Sequence, residues 1–460
     1  MTTAKILKNA ALLTTLTLVT ASCNIYKKYE TPTDTALTQA YVEARQQGVD
    51  STAFGNLQWE QVFTDPVLTD YINRALANNI SLKDAQLNVD LARTRLKGAK
   101  LAYFPSLALT PNGAGASYAG NSMSWSYQIP AAISWEVDIF AKLLNSKRGA
   151  QVAVEQTEAY AQAVRSQIIA AVASTYYAIA SVESQLALSR NTARLWSQTV
   201  DNMNTMMQAG RTNKAAVVQS DANYRSVLAS ITDLEVTRHE LNNTMSQLLG
   251  TMPQEWHVSA DATLEVPQMF VAGVPMQYLA NRPDVYAAER GLATAYYATN
   301  SARAAFYPGL TISVNGGFTN LLGSFIKNPG DWFVQLAGSL VAPIFSRGQN
   351  ITNLQAARIG QQQAMNSFEN TVLSAAGEVS DALTRYTKAG ERAGHLEQQV
   401  ADLEKSVEYT NDIFTYANGI YLEVLTAQQQ LLSAQMNLLV CRLTRAQAVI
   451  SLYQAMGGGR

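Results

Sequence analysis

The chain switches between two hydrophobic periods, and each switch predicts a change of secondary structure. At 125–139 apolar and polar residues alternate, which predicts a strand with one apolar face. The apolar positions of this strand are Trp125, Tyr127, Ile129, Ala131, Ile133, Trp135, Val137 and Ile139. Residues 332–344 repeat the alternation, and a shorter apolar strand precedes each of these two strands. We therefore predict β-hairpins at about 101–140 and 306–345.

Charged residues are nearly absent from both predicted hairpins. Residues 101–140 carry only two charges, both acidic, and residues 304–345 carry only Lys327 and Asp331. Long alternation with few charges is typical of membrane strands that have one face in lipid and the other in water. A soluble hairpin with one buried face shows the same alternation over a shorter length, so this alternative stays open at the sequence level.

Outside the hairpins the hydrophobic period is that of a helix. No proline lies between Pro130 and Pro253 or after Pro343, and an interior proline costs a helix about 3 kcal/mol. Spacings that alternate between four and three residues predict coiled-coil packing. In the first half this series is Ile168, Val172, Thr175, Ile179, Val182, Leu186, Ser189, Ala193, Trp196, Val200, Met203 and Met207. Gly210 and Gly419 interrupt the two helical stretches, which predicts two antiparallel helical hairpins.

The two halves of the chain repeat each other. Leu76-Ala77-Asn78 corresponds to Leu279-Ala280-Asn281, and Tyr103-Phe104-Pro105 corresponds to Phe306-Tyr307-Pro308 at the same separation. Each half has short helices, a β-hairpin and a long helical hairpin in that order. The period is far longer than a solenoid repeat, so it indicates the duplication of a whole half-structure.

The N-terminus indicates export from the cytoplasm. Lys5 and Lys8 precede a short apolar stretch at 10–21, about 18 Å of helix, which is less than the roughly 30 Å core of a bilayer. The sequence Thr20-Ala21-Ser22-Cys23 resembles a bacterial lipobox, in which cleavage precedes the cysteine and its sulfur receives a lipid. Cys23 is thus a predicted lipidation site, and an ordinary signal peptide cut near Ala21 is the alternative.

Composition narrows the class of function. The 460 residues are 47% hydrophobic and only 15% charged, with a net charge of −1, which disfavours a nucleic-acid binder with a basic surface. The 3 histidines lack metal-ligand spacing, and no phosphate loop, nucleophile elbow or carboxylate pair is present. We therefore expect no catalytic residue, no metal and no cofactor beyond the lipid on Cys23, and we do not expect an enzyme.

The predicted strands are too few to act alone. Two hairpins provide four strands, whereas the smallest membrane barrels have eight. Open sheet edges in hydrocarbon would leave backbone groups unpaired at a cost of several kcal/mol each. Several copies of the chain must therefore share one barrel.

With these features the chain resembles the outer-membrane factor family, the TolC-, OprM- and NodT-like channels of tripartite efflux and secretion systems. The motifs that carry the resemblance are Trp59, Phe63, Asp65-Pro66, Trp135 through Phe140, Arg282-Pro283-Asp284-Val285, Pro343-Ile344-Phe345 and Gly419 through Gln428. The resemblance covers nearly the whole mature chain. It implies a mainly α fold with a membrane β-barrel: four strands per chain in a trimeric 12-stranded barrel, a long coiled-coil helical tube and a mixed equatorial domain.

The resemblance also implies a domain order and partners. The predicted segments are a signal peptide at 1–22, an N-terminal equatorial segment at 23–65, a first repeat at 66–250, an inter-repeat equatorial segment at 251–282, a second repeat at 283–456 and a disordered tail at 457–460. The implied partners are two further copies in a homotrimer, a periplasmic adaptor protein and an inner-membrane pump of the RND or a related type. The expected location is the outer membrane, with a lipid anchor and an extension into the periplasm.

The family keeps its tube closed at the periplasmic tip, where acidic residues form a ring. Glu423 occupies that position here, and Lys214 is its counterpart in the first repeat. We expect Lys214 to pair with Glu423 or Asp412 and to help hold the closed state. The predicted adaptor contacts are the tip turns at Gly210 and Gly419 together with Ala216, Val217, Val424 and Ala427.

The function that follows is a passive outer-membrane exit duct for small molecules, as in multidrug efflux. Two alternatives remain open at the sequence level. A duct for protein secretion of type I would use the same fold. A non-porous coiled-coil lipoprotein that spaces membranes belongs to another class, but it has no need of strands that face lipid.

Overall fold

The chain folds into two compact units, and each unit is built from three stretches of sequence. The computed structural model describes residues 26–46, 57–117, 122–259, 279–280, 282–322, 331–416 and 421–459. The sheet unit comprises Met1–Thr35, Leu87–Glu158 and Tyr286–Asn370, and the hairpin unit comprises Ala36–Gln86, Ala159–Val285 and Thr371–Arg460. The predicted signal peptide, Cys23 and Gly419 lie outside the described residues.

Helices account for most of the described chain. In order, the elements are α1 (Ala36–Gln46), α2 (Trp59–Val62), α3 (Pro66–Asn78), α4 (Ile80–Leu101), β1 (Ser106–Leu109), β2 (Asn112–Ala116), β3 (Ser124–Val137), α5 (Lys142–Gln208), α6 (Lys214–Leu248), α7 (Pro283–Ala304), β4 (Gly309–Leu322), β5 (Asp331–Val341), α8 (Gln349–Tyr416) and α9 (Tyr421–Ala455). At 1.5 Å per residue, α5 with 67 residues and α8 with 68 residues are each about 100 Å long. The prediction of a mainly helical chain with very long helices is confirmed.

Within these described ranges, no helix has the length and the apolar character that a bilayer crossing requires.

The sheet unit contains one antiparallel sheet, in which β3 pairs with β4 and β4 pairs with β5. Both β1 and β2 pair with the other edge of β3, one after the other. Pro111 separates β1 from β2 because it has no N–H for the ladder, whereas Thr110 still donates its N–H to the Pro130 carbonyl at 3.0 Å. Five strand segments therefore fill the four strand positions that were predicted.

Pro130 lies in the middle of β3, a central strand in which proline is rare. Its partner across the ladder is Gly317 of β4. A Cβ at Gly317 would lie 2.2 Å from the Ile129 carbonyl oxygen and 2.7 Å from the Pro130 Cα. Only glycine allows the two backbones to approach this closely, so Gly317 accommodates the proline and keeps the two hairpins in one sheet.

The hairpin unit contains the turn of the first repeat and the closing contacts of both repeats. Between α5 and α6, Gly210 has φ 70°, a left-handed conformation that favours glycine, and its N–H donates to the Met207 carbonyl at 3.0 Å. Asn213 then caps α6, because its side chain accepts from the Ala216 N–H at 3.0 Å. The chain thus reverses direction within five residues after α5 ends at Gln208.

The duplication is visible in how each repeat closes. Asn79, at the start of α4, donates its side-chain amide to the carbonyl of Leu248, the last residue of α6, at 2.9 Å. Arg282, at the start of α7, donates to the carbonyl of Ala455, the last residue of α9, also at 2.9 Å. The two repeats therefore share one backbone contact made with two different side chains.

The C-terminal glycines are ordered, so the prediction of a disordered tail at 457–460 is wrong for 457–459. Gly458 accepts from the Ser166 hydroxyl, and Gly459 accepts from Arg165 at 2.7 Å. Gly457 and Gly459 have φ 85° and 84°, and a Cβ at Gly458 would lie 2.5 Å from the Tyr453 ring. Glycine is needed here for conformation and for space, and neither requirement is visible in the composition of a tail.

Candidate functional site

One face of the sheet carries apolar side chains in β1, β3, β4 and β5. The register aligns Leu107 with Ile133, Ile133 with Val314, and Val314 with Leu336, which makes one apolar row across four strand positions. Further apolar rows contain Leu109, Ala131 and Val334; Trp135 and Ile312; and Ile129, Phe318 and Trp332. Leu107 and Leu336 are each 73% exposed. An apolar face that the chain leaves uncovered matches a surface that contacts lipid.

The opposite face carries small and polar side chains. Its rows align Ser106 with Ser134 and Ser313, and Ala132 with Asn315 and Gln335. Because successive residues of a strand point to opposite faces, the alternation in the sequence becomes this two-sided sheet. Such a sheet can separate lipid from water.

Both edges of the sheet lack a strand partner among the described residues. β1 and β2 form one edge, and β5 forms the other. On β5 the apolar side chains are also exposed, with Trp332 at 76% and Leu340 at 65%. In hydrocarbon, unpaired backbone N–H and C=O groups at these edges would each cost several kcal/mol.

Each strand-to-helix junction uses an uncommon backbone conformation. Ala141, just before α5, has φ 57°, and Arg347, just before α8, has φ 52°. At the first junction the Asp138 carboxylate accepts from the N–H groups of Leu143 at 3.1 Å and Leu144 at 2.7 Å. Asp138 therefore binds two backbone N–H groups at the start of α5 that have no partner within the helix, and this contact fixes where the strand ends.

An apolar cluster joins the ends of the two helical hairpins. Its buried members are Met203, Tyr421, Val424 and Leu425, and Met206, Val217 and Phe414 pack against them. The cluster therefore contains side chains from α5, α6, α8 and α9. The rings of Tyr421 and Phe414 are 5.0 Å apart at 62°, an edge-to-face arrangement. Burial raises the pKa of Tyr421, and a hydrogen bond with Thr199 partly offsets this rise.

A polar contact reinforces the same arrangement. The Asn223 side-chain oxygen on α6 accepts from Gln429 on α9 at 3.1 Å and from Gln219 at 3.3 Å. This tip region, the apolar cluster with its Asn223 contact, holds the first hairpin against the second within one chain.

The charge pair predicted at the tip is not formed among the described residues of the single chain, and it stays a prediction for the assembled channel. Lys214, Asp412 and Glu423 are all exposed. Among the ion pairs of the described residues, none joins Lys214 to Glu423 or to Asp412. Correspondence between repeats identifies positions with the same role in the topology, but it does not bring their side chains together. Packing in the tip region makes the contact that the charge pair was expected to make.

Two of the predicted adaptor contacts are buried in the single chain. Val424 is 1% exposed and Ala427 is 5% exposed, because both point into the core of the hairpins. Ala216 and Val217 are half-buried, and Val217 packs against the apolar cluster. Met203 belongs to the coiled-coil series predicted from the sequence. A heptad pattern shows that such a residue is an interior position, but it does not show that the residue packs against the second hairpin.

A polar groove lies along the second helical hairpin. It has a volume of about 840 Å³ between α8 and α9. Its lining residues are His395, Gln398, Gln399, Asp402, Leu403, Ser406, Gln430, Ser433, Ala434 and Asn437. Eight of these ten residues carry an amide, hydroxyl, imidazole or carboxylate group.

An ionic clamp holds the root of the second hairpin. Arg282 is 7% exposed and contacts Asp284 at 2.7 Å and Glu378 of α8 at 2.6 Å. Burial tends to raise the pKa of Asp284, but its hydrogen bonds and charge contact with Arg282 lower it on balance. The equivalent position in the first repeat, Asn79, is uncharged.

A duplicated chain with a two-faced sheet and long helical hairpins defines the class of outer-membrane channel subunits. The family model described as outer membrane efflux protein matches residues 71–251 and 274–458. This chain belongs to the outer membrane efflux protein family.

Individual relatives agree with this membership. The chain is 28% identical over 455 residues to the cation efflux system protein CusC of Escherichia coli K12, with 96% of this chain and 97% of CusC covered. It is 25% identical over 411 residues to the probable outer membrane lipoprotein SilC of Salmonella typhimurium, with 87% and 88% covered.

Solved structures show the same fold. A crystal structure of CusC matches with a TM-score of 0.82 at 25% identity, covering 94% of this chain and 99% of that one. The open-state MtrE outer membrane channel of Neisseria gonorrhoeae matches with a TM-score of 0.78 at 26% identity, covering 90% and 94%. The predicted fold class, the outer-membrane location and the efflux-channel function are therefore confirmed.

Proposed function

We propose that the channel is a homotrimer that acts as a passive exit duct, supplied by a periplasmic adaptor and an inner-membrane RND-type or related pump. The observation that carries this proposal is the pair of unpaired sheet edges. Two copies would give eight strands, and the interior of an eight-stranded barrel is filled by side chains. Three copies give twelve strands and leave room for a polar bore lined by the face that contains Ser134 and Asn315.

The helices next to the two edges support the same assembly. On α4, which precedes β1, the exposed apolar residues include Leu87, Leu91 and Leu101. On α8, which follows β5, they include Ile351 and Ile359. When β5 of one copy pairs with β1 of the next, α8 and the neighbouring α4 can cover each other.

Cross-linking between two differently labelled chains tests this assembly. Chains that carry Ser106→Cys on β1 are mixed with chains that carry Ser339→Cys on β5. The mixture is unfolded and then reassembled. A short bismaleimide should join the two kinds of chain, and native mass spectrometry should show three chains per particle. A monomeric or dimeric particle, or cross-links only between like chains, would overturn the trimer.

We also propose that Cys23 carries a lipid. The lipobox resemblance supports this, and the relative SilC is described as a probable outer membrane lipoprotein. Radiolabelled palmitate should enter the wild-type chain and should be absent from Cys23→Ser. A wild-type N-terminus cut near Ala21, without label, would contradict lipidation.

For the cargo, we propose small molecules rather than proteins, with metal cations as the first candidates. CusC is a cation efflux protein, and a further relative in Pseudomonas putida is a toluene efflux pump protein. No group of three or more histidine, cysteine, aspartate or glutamate residues that could hold a metal is found among the described residues. The inner-membrane pump, and not the channel, would thus select the cargo. Growth of a deletion strain on metal cations, toluene and antibiotics measures which protection is lost, and loss of protein secretion alone would refute the proposal.

At the tip, we propose that Glu423 lines the bore and that threefold symmetry brings three of these carboxylates together, which favours cations there. The adaptor would dock at the tip turns, Gly210 and Gly419, near Ala216, and along the polar groove between α8 and α9. Conductance of Glu423→Ala in planar bilayers tests the first proposal, because removing the acidic ring should lower cation selectivity. Unchanged selectivity would exclude Glu423 from the bore.

A further inference from the structure

One aromatic side chain lies on the polar face of the sheet. On β5 the residues of this face, Phe333, Gln335 and Ser339 among them, alternate with the apolar residues of the opposite face. On β3 and β4 the aligned positions of the polar face are occupied by small or polar residues such as Ser134 and Asn315. Among the strand residues whose side chains the structure describes, Phe333 is the one aromatic residue on this face.

The ladder leaves room for this ring. Phe333 is aligned with Gly317 of β4, and Gly317 is aligned with Pro130 of β3. Glycine provides no side chain between the other two, and an aromatic side chain opposite a glycine can lie across it. Pro130 is buried and Phe333 is half-buried, whereas Gln128 and Gln335, two residues away on the same strands and the same face, are exposed. These exposures match a ring that lies along the row, over Gly317.

The row crosses the sheet near its middle. Pro130 lies at the centre of β3, and Gly317 lies just past the centre of β4. In a trimer, threefold symmetry repeats Phe333 at the same height. Twelve strands that are about 4.8 Å apart and tilted by about 40° enclose a tube roughly 24 Å wide between backbones. Three rings therefore share one level of a bore that is otherwise lined mostly by small and polar side chains.

The chemistry that Phe333 adds to the bore is apolar. Among the strand residues with described side chains, the polar face carries one charge, Glu136 near the helix end of β3, and Lys142 pairs with it at 2.8 Å. An apolar ring attracts molecules that have apolar surface of their own to bury, and aromatic molecules and organic cations gain further from contacts with the ring. A small inorganic ion has no apolar surface to bury, so it gains little from the same contact.

We propose that Phe333 is a specificity-determining residue of the channel, because in the trimer its three rings form an aromatic collar that binds organic cargo on its way through the bore. The proposal rests on the proposed trimer, in which the polar face of the sheet lines the bore. Metal cations pass the collar without binding to it, whereas an organic molecule with aromatic surface pauses there. The collar thus acts on one class of cargo and leaves the conductance for small ions unchanged.

Block of single-channel currents in planar bilayers tests the collar. Two monovalent cations are added on the side of the sheet: tetraphenylphosphonium, which carries aromatic rings, and tetraethylammonium, which carries none. Equal charge is needed because Asp331 lies two residues before Phe333 in the sequence. Tetraphenylphosphonium should block wild type at a concentration about tenfold lower than it blocks Phe333→Leu, since leucine cannot stack with its rings. Tetraethylammonium should act equally on both.

Two further variants control for other effects of the substitution. Phe333→Tyr keeps an aromatic ring and should be blocked as wild type is. Phe318→Leu makes the same change on the apolar face of β4, where Phe318 is 48% exposed, and it should leave the block unchanged. Wild-type block of Phe333→Leu would overturn the collar, and so would a loss of block in Phe333→Tyr. An equal shift for both cations in Phe333→Leu would assign the effect to the width of the bore and would also overturn the collar.

Native mass spectrometry of the same preparations separates this inference from the proposed trimer. Particles of three chains in which Phe333→Leu is blocked as wild type is would overturn the collar and leave the trimer standing. Monomers or dimers would overturn both. A purely structural role of Phe333 over Gly317 would lower the number of channels that form, but it would not change the ratio of the two blocking concentrations in each open channel.

Discussion

Removing the Tyr421 ring is the sharpest test of how the tip is held. Tyr421 is 9% exposed inside the apolar cluster that joins α5, α6, α8 and α9, and its ring contacts that of Phe414. Truncation of a buried aromatic side chain costs about 3–5 kcal/mol. We take about 3 kcal/mol per copy for Tyr421→Ala, since the residue lies near the end of the hairpins.

This magnitude predicts a large change in gating. We assume that opening the gate separates the two hairpins, so that it breaks the contacts of the apolar cluster. Destabilising the closed state by about 3 kcal/mol relative to the open state then raises the ratio of open to closed channels about 100-fold per copy. Tyr421→Phe keeps the ring and loses only the hydrogen bond with Thr199, so it should shift the ratio about fivefold. Tyr409→Ala is the control, because Tyr409 is exposed on the same hairpin.

Conductance in planar bilayers measures the result. Tyr421→Ala should open far more often than wild type, Tyr421→Phe slightly more often, and Tyr409→Ala as wild type does. Wild-type gating in a folded Tyr421→Ala channel, together with enlarged openings in Glu423→Ala, would refute the packing argument and assign the closed state to charge.

Three further predictions concern stability. Gly458→Ala places a Cβ 2.5 Å from the Tyr453 ring and should cost about 1–3 kcal/mol in urea unfolding, whereas Gly360→Ala, with open space on a helix, should stabilise by up to about 1 kcal/mol. Arg282→Ala should cost about 2–3 kcal/mol, since the carboxylates that it leaves can still reach water. Burial tends to raise the pKa of Asp65, but its hydrogen bonds lower it below 3.8 on balance. The stability that the Asp65 carboxylate contributes is complete above pH 3.8 and is lost as the pH falls through its lowered pKa. Asp65→Asn should remove this part of the acid dependence of stability. An unchanged profile of stability against pH in that variant would contradict the prediction.

The sequence predicted the strands and long helices well because their periods follow from geometry. A period of two places Ile133 and Val314 on the same face of the sheet whichever strands are neighbours. The break at Pro111 was also present in the sequence as a missing N–H. The pairing of β3 with β4, which joins the repeats, is a long-range choice that no local pattern contains.

The tip was predicted less well for a related reason. Periodicity identified Met203 as an interior position, but the phase between the two hairpins decides which residues it meets. Lys214 and Glu423 were matched by the repeat, and both side chains are exposed in the single chain. No sequence pattern indicated that Glu289 would be fully buried. A carboxylate can be buried only where donors surround it, and here the donors are the neighbouring Arg290 and the distant Thr31.

The two halves of the duplicated chain have kept their backbone contacts and changed their chemistry. Asn79 and Arg282 hold the last carbonyls of α6 and α9 at the same distance, one with a neutral amide and the other with a buried cation. The cation recruits Asp284 and Glu378, so the closing contact of the second repeat is ionic. A neutral bond depends little on salt or pH, whereas a charged clamp with exposed carboxylates is sensitive to both. The closing contacts of the two repeats therefore differ in their response to salt and pH, and conditions that weaken ion pairs act on the contact of the second repeat.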